Sequence, residues 1–269
     1  MLTIAHIIQP TVVKPISDLY RAQPITFETM KIAQLFVQGE MDVSLFAIQL
    51  HGENEIPLPN CFTKLSPITR SIIDLKCFRK KRKLPLIKDI LDPLYSASQA
   101  DYFIYTNVDI ALQPNFYWTV AKIIEQGHDA FIINRRTIPD NYSSLDELPL
   151  MYSEIGEKHK GWDCFIFKRK LYSQFEFGMA CIGTGWIGRV LIVNMATFAD
   201  DFKVFPDLHL TFHIGNEKSW KTDTYNDYLL HNKEQCSKIM TGFEKKMGKF
   251  DRSKLPGRFL TLIEKDGFV

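Results

Sequence analysis

The amino-acid sequence predicts an α/β fold: a mostly parallel central sheet flanked by helices, in one domain spanning 1–269. Three observations predict it. Leu2–Ile8, Ile25–Gln38 and Asp42–Leu50 read as strand, helix, strand, and a helix between two such strands is the crossover that makes them parallel. Asp101-Tyr102-Phe103-Ile104-Tyr105-Thr106 is a nearly pure strand sequence, rich in the aromatic residues that suit a buried pleated surface. The chain is 45% hydrophobic and 24% charged with no low-complexity tract, so it can bury a core rather than stay disordered.

Each element has its own signal. The first strand ends at the Gln9-Pro10-Thr11 loop. The first helix carries Ile32, Leu35 and Phe36 as its apolar stripe. The second strand holds Val43, Leu45, Phe46, Ala47 and Ile48 in a nearly continuous run and stops at the polar Gly52–Asn54 turn. A basic run follows, Arg79-Lys80-Lys81-Arg82-Lys83, readable as a solvated face or as a phosphate- or acceptor-facing rim. Leu84-Pro85 opens a helix over Leu86–Gln99, with Pro93 expected to kink or break it. Beyond the aromatic strand, a helix fits Phe116–Glu125 and buried strands fit Asp129–Ile133 and Cys164–Phe167. A helix over Trp186–Ala196 starts from the Gly183-Thr184-Gly185 turn, and Leu208–His213 is a late strand. The remainder is polar, Lys-rich and mostly helical or irregular.

Composition excludes several classes of function. A formal net charge of +2 over 269 residues is too small to imply a nucleic-acid partner. Five scattered cysteines (Cys61, Cys77, Cys164, Cys181, Cys236), none in a C-x-x-C pair, speak against a disulfide framework or structural zinc. The N-terminus lacks a basic region and a long apolar stretch, and no transmembrane segment is visible, so a cytoplasmic protein is expected.

The chemistry concentrates at strand ends. In Thr106-Asn107-Val108-Asp109 a carboxylate emerges where a buried strand stops, the edge at which open α/β sheets bind ligands. A carboxylate on a rigid strand end can hold the hard cation that a nucleoside diphosphate needs, and Asn107 can supply a neutral oxygen to metal or donor. Taken alone, the same residues also read as a turn Asn and a helix-capping Asp. Phe212-His213-Ile214-Gly215-Asn216-Glu217-Lys218-Ser219-Trp220 places a His at a second strand end, with a Gly and a Lys after it. Imidazole is a common metal ligand and Lys can neutralise a diphosphate. His159-Lys160-Gly161-Trp162-Asp163 precedes a buried strand. Trp162 offers an indole face for sugar C–H groups, as does Trp186. Asp163 reads as a general base or as a group that orients donor or acceptor, with His159 a weaker candidate for the same task. Arg135-Arg136 follow a strand, where a salt bridge to a neighbouring acid is the commoner fate of Arg. Lys88 sits in the helix ahead of the motif strand.

The order βαβ, strand-T-N-V-D, then H-x-G-x-x-K-x-W resembles the GT-A glycosyltransferases, and the tail is similar to the His-x-x-Gly-x-x-Lys-Pro-Trp signature of the glycogenin-like family. Here His213 and Gly215 are one residue closer together, and Ser219 stands in place of Pro. The resemblance implies a Rossmann-like GT-A domain with a nucleotide-binding half about 1–110 and an acceptor-binding half about 111–269. It implies a manganese or magnesium ion held by Asp109 and His213, with Asn107 where the family has its first Asp. It further implies a UDP-sugar donor contacted by Lys218, by Lys88 and by the loop of Gln9 and Thr11, and a glycan or other hydroxylated acceptor. The activity implied is transfer of a hexosyl or pentosyl group, with a lean towards retention because Gly183–Arg189 contains no acid. Two other readings compete: a non-catalytic GT-A-like protein that binds nucleotide or glycan, and a nucleotidyltransferase. The absence of glycine from Gln9–Pro15 disfavours the second.

Overall fold

The structure, a computed structural model, describes residues 1–215, 226–247 and 251–265. Its main sheet has seven strands: β1 (Thr3–Ile8), β2 (Asp42–Ala47), β3 (Phe62–Lys64), β4 (Tyr102–Thr106), β6 (Ala130–Ile133), β9 (Cys164–Lys168) and β10 (Phe202–Phe205). A small second sheet is made of β5 (Ala111–Leu112), β7 (Arg136–Ile138), β8 (Glu157–Lys158) and β11 (Thr211–Ile214). The helices are α1 (Asp18–Phe36), α2 (Ile87–Ala97), α3 (Phe116–Glu125), α4 (Leu148–Ser153), α5 (Arg169–Tyr172), α6 (Ile187–Phe198), α7 (Asn226–Met247) and α8 (Gly257–Lys265).

The main sheet runs β10-β6-β9-β4-β1-β2-β3. β1 pairs in parallel with β2 and β4, and β10 in parallel with β6, whereas β9 is antiparallel to both β4 and β6. Six strands therefore point one way and β9 alone is reversed. The sheet is buried on both faces, which is why its strands read as continuous apolar runs rather than alternating ones. On one face Ala5, Ile7, Phe103, Tyr105, Phe165 and Phe167 pack with α2, α6, α7 and α8. On the other, Ile4, Ile8, Tyr102, Ile104 and Ile166 pack with α1 and α3. This is the three-layer arrangement expected of strands connected by crossover helices.

The elements differ from the sequence reading where proline or short pairing decides. α1 starts at Asp18 rather than Ile25, because Pro24 lies on the exposed face beside Tyr20, where water can serve the carbonyl that its missing N–H leaves unpaired. Pro93 likewise stays inside α2 and does not break it. α6 starts at Ile187: Trp186 is its N-cap, held at φ 73°, and not its first helical residue. The short strands β5, β7 and β8 and the reversal of β9 carry no periodicity of their own and are set by their partners. Among the described residues, no helix is long and apolar enough to cross a membrane.

Candidate active site

The C-terminal ends of six strands share one edge of the main sheet, and the reversal of β9 brings its N-terminal end to the same edge. Thr106 at the end of β4 faces Cys164 at the start of β9. The residues just beyond that pair, Asn107 and Asp163, are therefore neighbours. The Asn107 N–H donates to the Asp163 carbonyl (3.3 Å), and Asn107 Nδ2 donates to Asp163 Oδ1 (3.2 Å). Asn107 Oδ1 accepts from the Tyr105 hydroxyl at 3.3 Å, so both ends of its amide are engaged. Behind Thr106 a fully buried His6 bridges its Oγ1 (2.9 Å) to the Tyr117 hydroxyl (2.8 Å), fixing β4 against β1 and α3 just before the motif emerges.

Asp109 is brought to His213 by the second sheet. β5 follows Asp109 at once and pairs antiparallel with β11, Phe212 facing Ala111. His213, the next residue of β11, places Nε2 3.1 Å from Asp109 Oδ2. Its Nδ1 lies 2.8 Å from the Gly215 carbonyl, which the chain turns back through a φ of +70° that glycine adopts at no steric cost. A carbonyl only accepts, so Nδ1 carries a proton, and the nitrogen aimed at Asp109 is Nε2. An imidazole fixed by a carbonyl on one nitrogen, with the other beside a carboxylate, is the orientation of a metal-ligating histidine with its outer support.

Arg135, just past β6, closes the group from the far side. Its Nη1 is 3.3 Å from Asp163 Oδ2. His159 Nδ1 lies 3.6 Å from the same oxygen but accepts from the Gly161 N–H (3.0 Å), so it neighbours the carboxylate without bonding to it. Burial pushes both carboxyls up, yet the charges around them prevail. Arg135, His159 and His213 together hold Asp163 at about 2. The hydrogen bond and charge of His213, helped by Arg135, hold Asp109 below the usual carboxylate range.

Asp109 Oδ1 and Asp163 Oδ2 are buried without a hydrogen-bond partner, Arg135 meeting the latter as an ion pair only. Orphaned buried carboxylate oxygens are costly unless a cation or ligand hydroxyl completes them. The residues fit a divalent ion: Asp109 and His213 offer one oxygen and one nitrogen. No group of three His, Cys, Asp or Glu that could hold a metal ion exists among the described residues, so these two side chains are not by themselves a complete ligand set.

The other residues singled out by sequence are placed as follows. Gln9 is buried and turns its amide onto the Pro10 carbonyl (2.7 Å). Thr11 is gripped at its N–H and C=O by Gln23, both at 2.9 Å, which fixes the loop after β1 at the same sheet edge. Lys88 is not brought to the Asp109 group: it is exposed in the first turn of α2 and pairs with Asp92 (2.6 Å), as a helix i,i+4 pair does. Trp186 is not an open platform. It is buried, and its ring packs against Phe259 of α8 (6.2 Å) and under the Arg189 guanidinium (4.7 Å). Trp162 is half-buried, 5.5 Å from the same guanidinium and 6.3 Å from Phe259. Lys218 lies outside the described residues. Sequence reasoning missed the support from His6, although a polar residue at the alternate position between Ile4 and Ile8 signals it. It also missed Arg189 and Phe259, which no local pattern marks.

The fold has counterparts among solved structures. Residues 1–349 of S. aureus TarS match with a TM-score of 0.52 at 9% identity, covering 93% of this chain and 66% of that one. The chain has the GT-A fold. The same fragment of TarS in complex with UDP matches with a TM-score of 0.51 at 8% identity, covering 89% of this chain and 65% of that one. This chain thus spans slightly less than two thirds of the TarS fragments in these two structures. Glucosyl-3-phosphoglycerate synthase from M. tuberculosis, in complex with Mn2+, UDP-glucose and phosphoglyceric acid, superposes with a TM-score of 0.48 at 13% identity, covering 87% of this chain and 80% of that one. No protein-family model and no curated protein sequence matches the chain.

Proposed function

We propose that this chain is a glycosyltransferase that takes its sugar from a UDP-sugar with the help of a divalent cation. The observation that carries the reading is the Asp109–His213 pair, oriented through Gly215 and set at the strand-end edge beside Asp163 and Arg135. Asp109 and His213 would hold Mn2+ or Mg2+, and that ion, when bound, neutralises the donor diphosphate as the leaving group departs. Asn107, committed to Asp163 and Tyr105, serves on this reading to position Asp163. Gln9 and Thr11 shape the wall for the nucleotide, and Lys218 adds a point charge to the diphosphate.

Asp163 is the carboxylate assigned to the chemical step. Held at about 2 by Arg135, it stays ionised at neutral pH and is a weak proton acceptor. A fixed negative charge of this kind suits accepting a sugar hydroxyl and stabilising positive charge that develops at the anomeric carbon. With no acid in Gly183–Arg189, this favours retention, and the transferred group is a hexose or pentose. The acceptor is a glycan or other hydroxylated molecule entering past Trp162, with His159 beside it.

The commitment of Asn107 and Asp163 to each other also favours a second reading, a GT-A protein that binds nucleotide or glycan without turnover. Slow hydrolysis of UDP-sugars in the presence of manganese separates the two. Release of free sugar above the buffer rate supports the transferase. Tight UDP binding with no hydrolysis of any common UDP-sugar supports the binding protein.

A further inference from the structure

The basic run Arg79–Lys83 is not used by the site described above, and its setting is unusual for a solvated loop. Five consecutive cations repel one another, yet their backbone is pinned. Tyr228 of α7, fully buried and stacked on Phe78 with ring centroids 3.9 Å apart, accepts from the Arg82 N–H and donates to the Lys80 carbonyl, both at 2.8 Å. Asp227 accepts from the Arg79 N–H at 2.8 Å. The anchors hold main-chain atoms, and Arg79, Lys81 and Lys83 are exposed.

The C-terminal end of the run leads to the loop after β1 and to the Gly183–Trp186 turn. Lys83 lies in the field of Glu53, whose carboxyl accepts from Val12 in the loop after β1. Leu84–Ile87 is hydrogen-bonded to Ala180 and Ile182, and Leu84 packs against Gly183 at the turn leading to Trp186. The run accounts for more than the whole formal charge: elsewhere 28 basic residues stand against 31 acidic ones. Positive potential is thus gathered at one rim, between the nucleotide wall and the Gly183–Trp186 turn, on a chain otherwise slightly acidic.

We infer that this rim recruits a phosphate-bearing acceptor, a chain or sugar carrying phosphate groups, and steers its hydroxyl toward the Asp163 side of the cleft. The inference rests on the glycosyltransferase reading of that cleft. Several exposed cations on a fixed backbone bind such a ligand by neutralising successive phosphates, which makes the affinity fall steeply with salt.

The test uses a short linear polyphosphate as probe, in chelator so that Asp109 and His213 hold no ion, with UDP and manganese titrated separately. Wild-type protein should bind the probe at low salt and lose affinity linearly in log salt. Arg79→Gln with Lys81→Gln should weaken probe binding by about tenfold, two phosphate contacts' worth, while UDP–manganese affinity and melting temperature stay unchanged. Unchanged probe affinity in the double variant overturns the inference. So does binding to phosphatidylglycerol vesicles without binding to polyphosphate, which would make the rim a membrane contact. Failure to bind UDP in manganese is a separate result: it overturns the proposed function, whatever the probe does.

Discussion

Replacing Arg135 by Gln tests the electrostatics on which the site depends. Asp163 is a buried carboxylate that burial alone would push up, yet it is held at about 2, with Arg135 the main opposing charge at 3.3 Å. Relative to an unperturbed carboxyl near 3.9, the net shift is worth about 2–3 kcal/mol of stability at neutral pH. That figure is the surplus after burial is overcome, so the loss on deleting Arg135 is larger. Breaking one side of a buried ion pair costs about 3–5 kcal/mol, because the remaining charge is left uncompensated. The sign with pH follows. A depressed carboxyl contributes stability that is present above its unfolded value and lost as pH falls through the folded one. In Arg135→Gln burial acts unopposed by that charge and pushes the Asp163 carboxyl up, so the variant regains stability as this carboxyl protonates, and the gap to wild type should be widest near pH 7 and narrower near pH 4.

The assay is urea unfolding of wild type, Arg135→Gln, Asp163→Asn and the double variant, at pH 7 and again near pH 4. Asp163→Asn removes the charge that Arg135 compensates, and its amide can still hold Asn107. The double variant should therefore recover most of the loss of Arg135→Gln, with a coupling of about 2 kcal/mol or more at pH 7. Additive effects within about 0.5 kcal/mol, or a loss that does not shrink at acid pH, would refute the account of the pair.

Four further outcomes are expected. UDP should bind tightly in manganese or magnesium and weakly in chelator, and Asp109→Asn should abolish that difference; equal affinities by calorimetry would sink the shared-ion reading. Lys218→Ala should weaken UDP by about 1.5–3 kcal/mol, the scale of a charge-assisted hydrogen bond, and uridine monophosphate by less. Asp163→Asn should cut turnover by about 10²–10³-fold at nearly constant donor affinity, measured well below the melting temperature that the broken pair with Arg135 lowers, and near-normal turnover would remove it from the chemical step. His6 is buried neutral, its value lowered by burial to about 3, so the unfolded chain takes up a proton there between about pH 6.5 and 3 while the folded chain does not. Stability should thus fall by about 2 kcal/mol from pH 7.5 to 5, and His6→Gln should lose that slope; an unchanged slope would mean that His6 charges in the folded state.

The layered fold was legible because buried parallel strands are apolar throughout and their crossover helices are amphipathic. Asp109 and His213 were legible as strand ends for the same reason: a polar residue where an apolar run stops has few places to go but the sheet edge. Arg189 and Phe259 were not legible, since they meet Trp162 and Trp186 only through the packing of α6 and α8, which no local pattern encodes. Burial of Trp186 follows from that packing.

Asp163 shows most clearly where local pattern runs out. The sequence places it ahead of a buried strand, and in a wholly parallel sheet the start of a strand lies at the edge opposite the ligand. A carboxylate there could never meet Asp109. It reaches the cleft only because β9 runs against β4 and β6, a polarity that its four apolar residues, Cys164–Phe167, cannot announce from their own side chains. What sets the polarity is the connection. The chain leaves β6 at Asn134, builds β7, the short helix α4 and β8 at the ligand edge, and re-enters the main sheet from that edge without crossing to the far side. The same excursion lays β7 beside β11 and so supports His213. One detour thus places both Asp163 and the neighbour of His213, which makes the pairing of β7 with β8 a requirement of the site rather than an ornament of the loop.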